Sequence, residues 1–401
     1  VSRFRLYPTR EQEVLLLEAC GHARYVWNLG LEQRIMWRRW QGPTPGFAEQ
    51  CRQLTEARAE SEWLRSGPQV VQQQALRDLD QAWRNFFAGT HHRPTWRKRG
   101  QAEGFRIVGG QALRVRQDNR HWSSVLVPKV GWVRFKRSQT LPEWKSYRVT
   151  RDRSGRWHIA FAAIPEPIPA PRTGKVVGVD RGVKAAVTLS TGEMSSPAGL
   201  RPKEAERRLR LQRKLARQQK GSNRRARTKA ALARIAAREV DRRKDWVEKT
   251  STDLARRFDV IRVEDLKVKQ MTRSARGTLA EPGRNVRAKA GLNRGILAAG
   301  WSMLVNRLEQ KAPGRVEKVP AAYTSQRCNA CGHVAGESRE SQSRFRCVAC
   351  GHEANADVNA ARNIADGNPG AGRALAARGD RVKSARSVKR EPQRTRPPKV
   401  A

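Results

Sequence analysis

The sequence predicts an α+β protein of several domains, and three observations carry that prediction. The apolar period changes from helical to two near residue 105. A second group of apolar strands follows a Pro-rich connector at 165–174. A chain of 401 residues, 38% hydrophobic and 30% charged, is long enough for two or three buried cores.

Residues 3–7 (RFRLY) alternate in the manner of a strand. From Thr9 the pattern turns helical. Thr9 and Gln12 form a capping-box pair, and Val14, Leu15, Leu17, Tyr25, Val26, Leu29 and Ile35 follow. GPTPG at 42–46 breaks that helix, and another is expected over 68–87, where Val71, Ala75, Leu79, Ala82 and Phe86 recur at helical spacing. Between 105 and 165, FRIVGG, SVLVPKV, GWVRFKR, SYRVT and RWHIAFAAI read as short strands of a small barrel or sandwich. Ten of the twelve Trp precede residue 158, a number that core packing accounts for; stacking on bases is the functional alternative, and spacing assigns no single Trp to it.

After the connector, KVVGVD (175–180) and GVKAAVTLSTG (182–192) give an apolar strand, a tight turn and a second strand. Residues 201–257 read as long charged helices with a thin apolar stripe of Leu209, Leu215, Leu232, Ile235 and Trp246. Nineteen Lys/Arg against six Asp/Glu between 201 and 250 suit a basic wall along a nucleic-acid groove better than a solvated hairpin. FDVIRVEDL (258–266) is a further buried strand, 269–290 a polar loop, 292–310 one helix and 315–319 a strand. The segment 367–401 holds ten Lys/Arg and two Asp/Glu among Gly and Pro, the composition of a disordered tail.

Lys and Arg number 82 against 37 Asp and Glu, a formal net charge of +45. A polyanion neutralises such a charge, so nucleic acid is the expected partner. A membrane-surface protein would need an amphipathic or apolar anchor, and no run reaches the ~18 apolar residues of a spanning helix. The first twenty residues lack a signal-peptide pattern. A cytoplasmic protein without a membrane partner is expected.

Four cysteines fall as C-x2-C-x15-C-x2-C: Cys328, Cys331, Cys347 and Cys350. Two such pairs close a tetrahedral four-thiolate site with no open position, which predicts structural Zn2+. His333 and His352, two residues past each pair, are expected to hydrogen-bond around the site rather than ligate. Cys20 and Cys51 read as core residues, and the whole usage fits a reducing compartment.

Three acids stand where a two-metal nuclease needs them. Asp180 closes an apolar strand and precedes Arg-Gly; Glu264 closes a second; Asp357 opens the helix DVNAARNIA. Alternation sends one of Glu264 and Asp265 toward the sheet face, and spacing does not choose between them. Carboxylates crowded together repel unless cations neutralise them. Mg2+ suits such a set, and two ions about 4 Å apart serve an in-line phosphoryl displacement.

The chain resembles the TnpB proteins of bacterial insertion sequences and the compact type V CRISPR effectors descended from them. The resemblance rests on RFRLYPTREQE, VGVDRGVKAAVTLSTGE, IRVEDLKVK, LNRGILAAGW and TSQRCNACGHV…FRCVACGHEANADVNAARNIA, and spans most of the chain. It implies an RNase H-like, RuvC-type nuclease domain at 175–322 and 353–366, with a zinc knuckle at 323–352. It further implies a helical recognition bundle at 9–104 inserted in a wedge β-barrel (1–8 and 105–165), a linker at 166–174 and a basic tail at 367–401. By motif position its Asp-Glu-Asp site is Asp180, Glu264 and Asp357, which selects Glu264 over Asp265. Its helices near the N-terminus help read a short duplex motif beside the target, with Gln72 and Gln73 the candidates here. One departure is Ala356, where the family often has a basic residue.

The function expected is an RNA-guided DNA endonuclease of the bacterial cytoplasm, holding guide RNA, double-stranded target DNA and its displaced strand. A regulator that binds without cutting and a DNA-joining transposase are the alternatives. Transposon or CRISPR context, and monomer or dimer, are left open by sequence.

Overall fold

A computed structural model describes residues 2–368, with 39 and 41 excepted. Most of the basic segment at 367–401 lies outside the described residues. The chain forms two compact units, residues 1–166 with 200–240, and 167–199 with those from 241 onward.

In the first unit the alternating segments become seven strands: β1 (Ser2–Tyr7), β2 (Gly104–Val108), β3 (Val115–Gln117), β4 (Trp122–Val127), β5 (Gly131–Lys136), β6 (Ser146–Arg151) and β7 (Trp157–Phe161). They pair antiparallel in one sheet, in the order β2-β6-β7-β1-β5-β4-β3. The first strand thus sits in the middle, with Leu6 opposite Phe135 and Phe4 opposite Ile159. Phe4, Phe135 and Phe161 are buried against one another, at tilted and edge-on geometries that favour aromatic packing.

The helices of this unit are α1 (Arg10–Met36), α2 (Phe47–Glu60), α3 (Glu62–Ser66) and α4 (Gln69–Phe87). The expected capping box is present: Gln12 N–H donates to Thr9 Oγ1 at 3.2 Å and Thr9 N–H to Gln12 Oε1 at 3.1 Å. α1 packs on α4, and their core is continuous with that of the sheet. Trp27, Trp83 and Trp157 are buried in it, while Trp40, Trp63, Trp96 and Trp132 are exposed. Core packing therefore explains part of the Trp content only. α5 (Pro202–Arg217) buries no side chain, and α6 (Asn223–Arg257) begins in this unit.

The second unit is built on a five-stranded sheet of β8 (Val176–Asp180), β9 (Val187–Leu189), β10 (Met194–Ser195), β11 (Val260–Glu264) and β12 (Val316–Val319). The order is β10-β9-β8-β11-β12, with β8, β11 and β12 parallel and the β9–β10 side antiparallel. Val177, Val179, Ile261 and Val263 form one core with Val247, Leu254 and Ala255 of α6. Leu304 and Leu308 of α9 (Trp301–Lys311) complete it. Buried Lys311 ties the two helices, donating to the Glu248 carbonyl, Ser251 Oγ and Thr252 Oγ1, each at 2.8 Å.

The helix expected over 292–310 is two helices, α8 (Val286–Ala299) and α9. Gly300 separates them at φ 75°, a left-handed conformation that ends a helix at little cost only for glycine. The polar loop before them contains one helical turn, α7 (Val268–Met271). A hairpin not anticipated from sequence, β13 (Arg344–Arg346) with β14 (Glu353–Asn355), leads into α10 (Ala356–Ala365).

α10 lies on the face of β8 opposite Val177 and Val179, and Gly178 is what lets it approach. A Cβ there would stand 1.9 Å from the Ala361 carbonyl oxygen and 2.4 Å from the Ala365 nitrogen. Both atoms belong to the helix backbone, so no side-chain rotation relieves the clash. Gly178→Ala is expected to destabilise the second unit by about 2–4 kcal/mol through overpacking, measured by urea unfolding. An unchanged unfolding midpoint would refute this close-packing argument.

Candidate active site and metal centre

β8 and β11 pair in parallel with Val179 opposite Val263, so Asp180 and Glu264 leave the sheet as neighbours. Alternation along β8 puts Asp180 on the face of Gly178, against α10. Along β11 it puts Glu264 on the face of Arg262, whose Nη1 donates to the Ala365 carbonyl at 2.5 Å. Asp357 is in the first turn of α10. The N-cap Asn355 Oδ1 accepts from Asp357 N–H at 3.0 Å and Val358 N–H at 3.2 Å, which fixes where the helix starts. The three predicted acids are thereby gathered at one end of the sheet.

Their electrostatics reflect the crowding. The Asp180 carboxyl is pushed up to about 7, first by burial and then by the negative charges of Glu264 and Asp357. Burial also raises Glu264, opposed by a hydrogen bond from Thr324 Oγ1 to Oε1 at 2.8 Å and by the charge of Arg181. Asp265 is exposed and forms an ion pair with Lys267 at 2.5 Å. Of the two acids that spacing did not separate, Glu264 is the buried one, only 7% exposed.

Two arginines missed from sequence complete the surroundings. Arg181 donates to the Glu264 carbonyl, and Arg339 Nη2 meets Asp357 Oδ1 at 3.2 Å. Arg339 lies between the cysteine pairs, where no spacing rule separates it from Arg344 or Arg346. The cluster keeps a strongly raised carboxyl despite both guanidiniums. Three oxygen-donor side chains with that residual repulsion fit hard divalent cations.

The four cysteines have Sγ atoms within 4.8 Å of one another, the one group of three or more His, Cys, Asp or Glu ligand atoms drawn so closely together among the described residues. The two knuckles repeat one hydrogen-bond pattern. Gly332 N–H donates to the Cys328 carbonyl and Gly351 N–H to the Cys347 carbonyl, both at 2.9 Å. Cys328 and Cys347 N–H donate to the His333 and His352 carbonyls at 2.8 and 2.9 Å. Four convergent thiols on such turns fit a structural zinc. The histidines serve it through their main chain: neither side chain belongs to the thiol cluster.

The knuckle is also stapled to α10. Asn359 and Asn363, both buried, donate to the Arg327 carbonyl at 2.7 and 2.8 Å, and Asn363 donates to the Thr324 carbonyl at 2.9 Å. Asn329 N–H returns a bond to Asn359 Oδ1 at 2.9 Å. Thr324, which orients Glu264, and α10, which carries Asp357, are therefore held by the same segment.

One expected contact residue is corrected. Gln72 is fully buried, donating to the Leu64 carbonyl at 2.8 Å and accepting from Arg58, so it packs α3 against α4 and is closed to a ligand. Gln73, half-buried, lines a cleft of about 450 Å³ with Gln69, Gln111 and Lys129.

Three family profiles match the chain: a helix-turn-helix domain of IS605 OrfB at 2–42, the "Probable transposase" profile of IS605 OrfB at 158–275, and a Cas12f1-like TNB domain at 301–364. The chain is 37% identical to the "Putative RNA-guided DNA endonuclease InsQ" of Escherichia coli (strain K12), covering 97% of this chain and 96% of that one. It is 32% identical to a "Putative RNA-guided DNA endonuclease" of Streptomyces pristinaespiralis, covering 98% and 96%. Among solved structures, Cas12f1 in its cryo-EM complex with sgRNA and target DNA matches with TM-score 0.52 and 13% identity, over 89% of this chain and 83% of that one; this supports a shared fold. With identity of this level sustained over nearly its whole length, the chain belongs to the TnpB family, the OrfB proteins of IS605-type elements.

Proposed function

We propose that this protein is an RNA-guided DNA endonuclease whose cutting centre is Asp180, Glu264 and Asp357. The observation that carries the reading is the convergence of these acids, 177 residues apart at the extremes, on one end of a sheet. The strand order, three parallel strands beside an antiparallel pair, supports an RNase H-like domain of RuvC type. The net charge of +45 supports a nucleic-acid partner, and the full-length relatives support an RNA guide.

The three carboxylates would hold Mg2+, which supplies an activated water and neutralises charge on the leaving oxygen. Thr324 and Arg181 fix Glu264, and Arg339 fixes Asp357, so the protein's contribution is to aim oxygen atoms before DNA arrives. Zinc at the cysteines would hold the knuckle that anchors Thr324 and α10. Base pairing with the RNA supplies sequence choice, and the first unit reads a short flanking motif. Gln73 is the better-placed of the two glutamines for that reading.

Sequencing RNA that copurifies with the protein, then supplying DNA complementary to it in Mg2+, tests the proposal. Discrete RNA and guide-dependent cuts are expected. Guide-dependent binding without cuts would favour a regulator, and no discrete RNA would sink the guided mechanism. Two variants test details. Arg339→Ala is expected to lower the cleavage rate about 10–100-fold by freeing Asp357, with RNA affinity unchanged. Gln73→Ala is expected to relax preference in the flanking motif by about 1–3 kcal/mol, read from a library of flanking sequences.

A further inference from the structure

Arg106 of β2 and Arg148 of β6 are directly opposite in an antiparallel ladder, on the face away from buried Phe105, Ile107 and Val149. Like charges facing each other across strands destabilise a sheet. Here a third guanidinium joins them. Asp78 of α4 accepts from Arg148 at 2.7 Å and lies 3.6 Å from Arg106 and 4.0 Å from Arg97. Among the described residues no second carboxylate bridges any of the three, so the cluster keeps an excess of two positive charges.

The cluster is rigid and open. Arg97 is held by Asn28, which donates to its carbonyl at 3.0 Å and accepts its N–H at 2.8 Å, and its guanidinium lies 3.8 Å from the centre of the Trp27 ring. Its pKa is lowered to about 10, mainly by burial and in part by the charge of Arg148, with Asp78 opposing the shift. Arg106 and Asp78 face a cleft of about 440 Å³ along α4, lined also by Gln81 and Asn85. A staple between helix and sheet needs one arginine; three guanidiniums around one acid leave room for a second anion.

We propose that this cluster is a binding site for a backbone phosphate of nucleic acid, with Asp78 holding the arginines apart in its absence. The site rests on the nucleic-acid reading of the protein and lies in the first unit. The bound phosphate belongs either to the RNA or to the DNA paired with it, and its chemistry is the same in both. Guanidiniums suit it because their planar forks bind phosphate in two places at once.

The test uses full-length protein freed of RNA in high salt, in EDTA, with a labelled ~20-base-pair RNA–DNA heteroduplex and its single RNA strand. Arg106→Ala and Arg148→Ala are each expected to weaken binding roughly tenfold and to lower the slope of log K against log[KCl] by about one. Arg148→Lys should recover most of the affinity. Asp78→Asn is expected to bind more tightly, because a competing carboxylate is gone, although it melts at lower temperature. Loss with both probes assigns the phosphate to RNA, and loss with the heteroduplex alone assigns it to DNA. If folded arginine variants bind as the unaltered protein does, or Asp78→Asn binds more weakly, the cluster is only a staple and the proposal falls. If the unaltered protein binds neither probe, the nucleic-acid reading falls with it.

Discussion

Asp180→Ala ends DNA cleavage, with an expected loss on the order of 10³-fold or more, because the displacement forfeits several kcal/mol of metal-borne charge stabilisation. Binding of RNA and target DNA stays within about twofold, since backbone contacts dominate affinity. Cleavage near the unaltered rate would remove Asp180 from the mechanism. The isosteric Asp180→Asn adds a second readout. The Asp180 carboxyl titrates near 7 in the folded protein against 3.8 for an ordinary aspartate. A raised value means that folding favours the protonated form: its stabilising contribution is full below about pH 4 and is lost as pH rises through 7. Asparagine stays neutral throughout. In chelator, Asp180→Asn should therefore melt higher than the unaltered protein at pH 8, by about 4 kcal/mol of stability, with the gap closing near pH 4. Mg2+ should stabilise the unaltered protein and leave the variant largely unmoved. A pH-independent gap would contradict the electrostatic account of the site.

Loss of zinc is expected to have the largest effect on stability. Four-thiolate zinc contributes on the order of 10 kcal/mol of apparent binding energy in small domains. Cys347→Ser, or extraction with a strong chelator, should unfold the knuckle. That releases the Arg327 and Thr324 carbonyls from Asn359 and Asn363 and frees α10. A fall of roughly 10 °C or more in the melting temperature of the second unit is expected, with cleavage lost together with it. Metal analysis of the unaltered protein should return zinc in a single equivalent. A zinc-free protein that melts and cuts normally would reduce the knuckle to decoration.

The acids and cysteines were legible in sequence for different reasons. C-x2-C pairs report their geometry locally, because each knuckle is closed by hydrogen bonds within a few residues. Asp180, Glu264 and Asp357 were legible as strand and helix termini, and motif position favoured Glu264 over Asp265. Spacing alone could not, because which of the two is buried depends on the register of β11 against α10, which is tertiary information. Arg339 was invisible because its partner is 18 residues away across a loop with no period. Gln72 was misjudged for a related reason. A glutamine on a helix reads as solvated, but the α3–α4 corner leaves carbonyl groups that need donors, and Gln72 turns inward to supply one. The break at Gly300 went unseen because apolar spacing continues across it, and only the sign of φ reveals the kink.

The position of α10 has a consequence for how the protein matures on the ribosome. Asp180 and Glu264 are 84 residues apart and Asp357 follows 93 later, so every contact in the cluster is strongly non-local. Such contacts form late in folding, after the loops they close have been ordered. The first-unit sheet can close by residue 161, when β7 has been made, whereas the acid cluster waits for the helix that slides over Gly178. A nascent chain therefore gains the arginines of its first unit before it gains a complete set of carboxylates, so that on the proposed roles holding nucleic acid would precede cutting it.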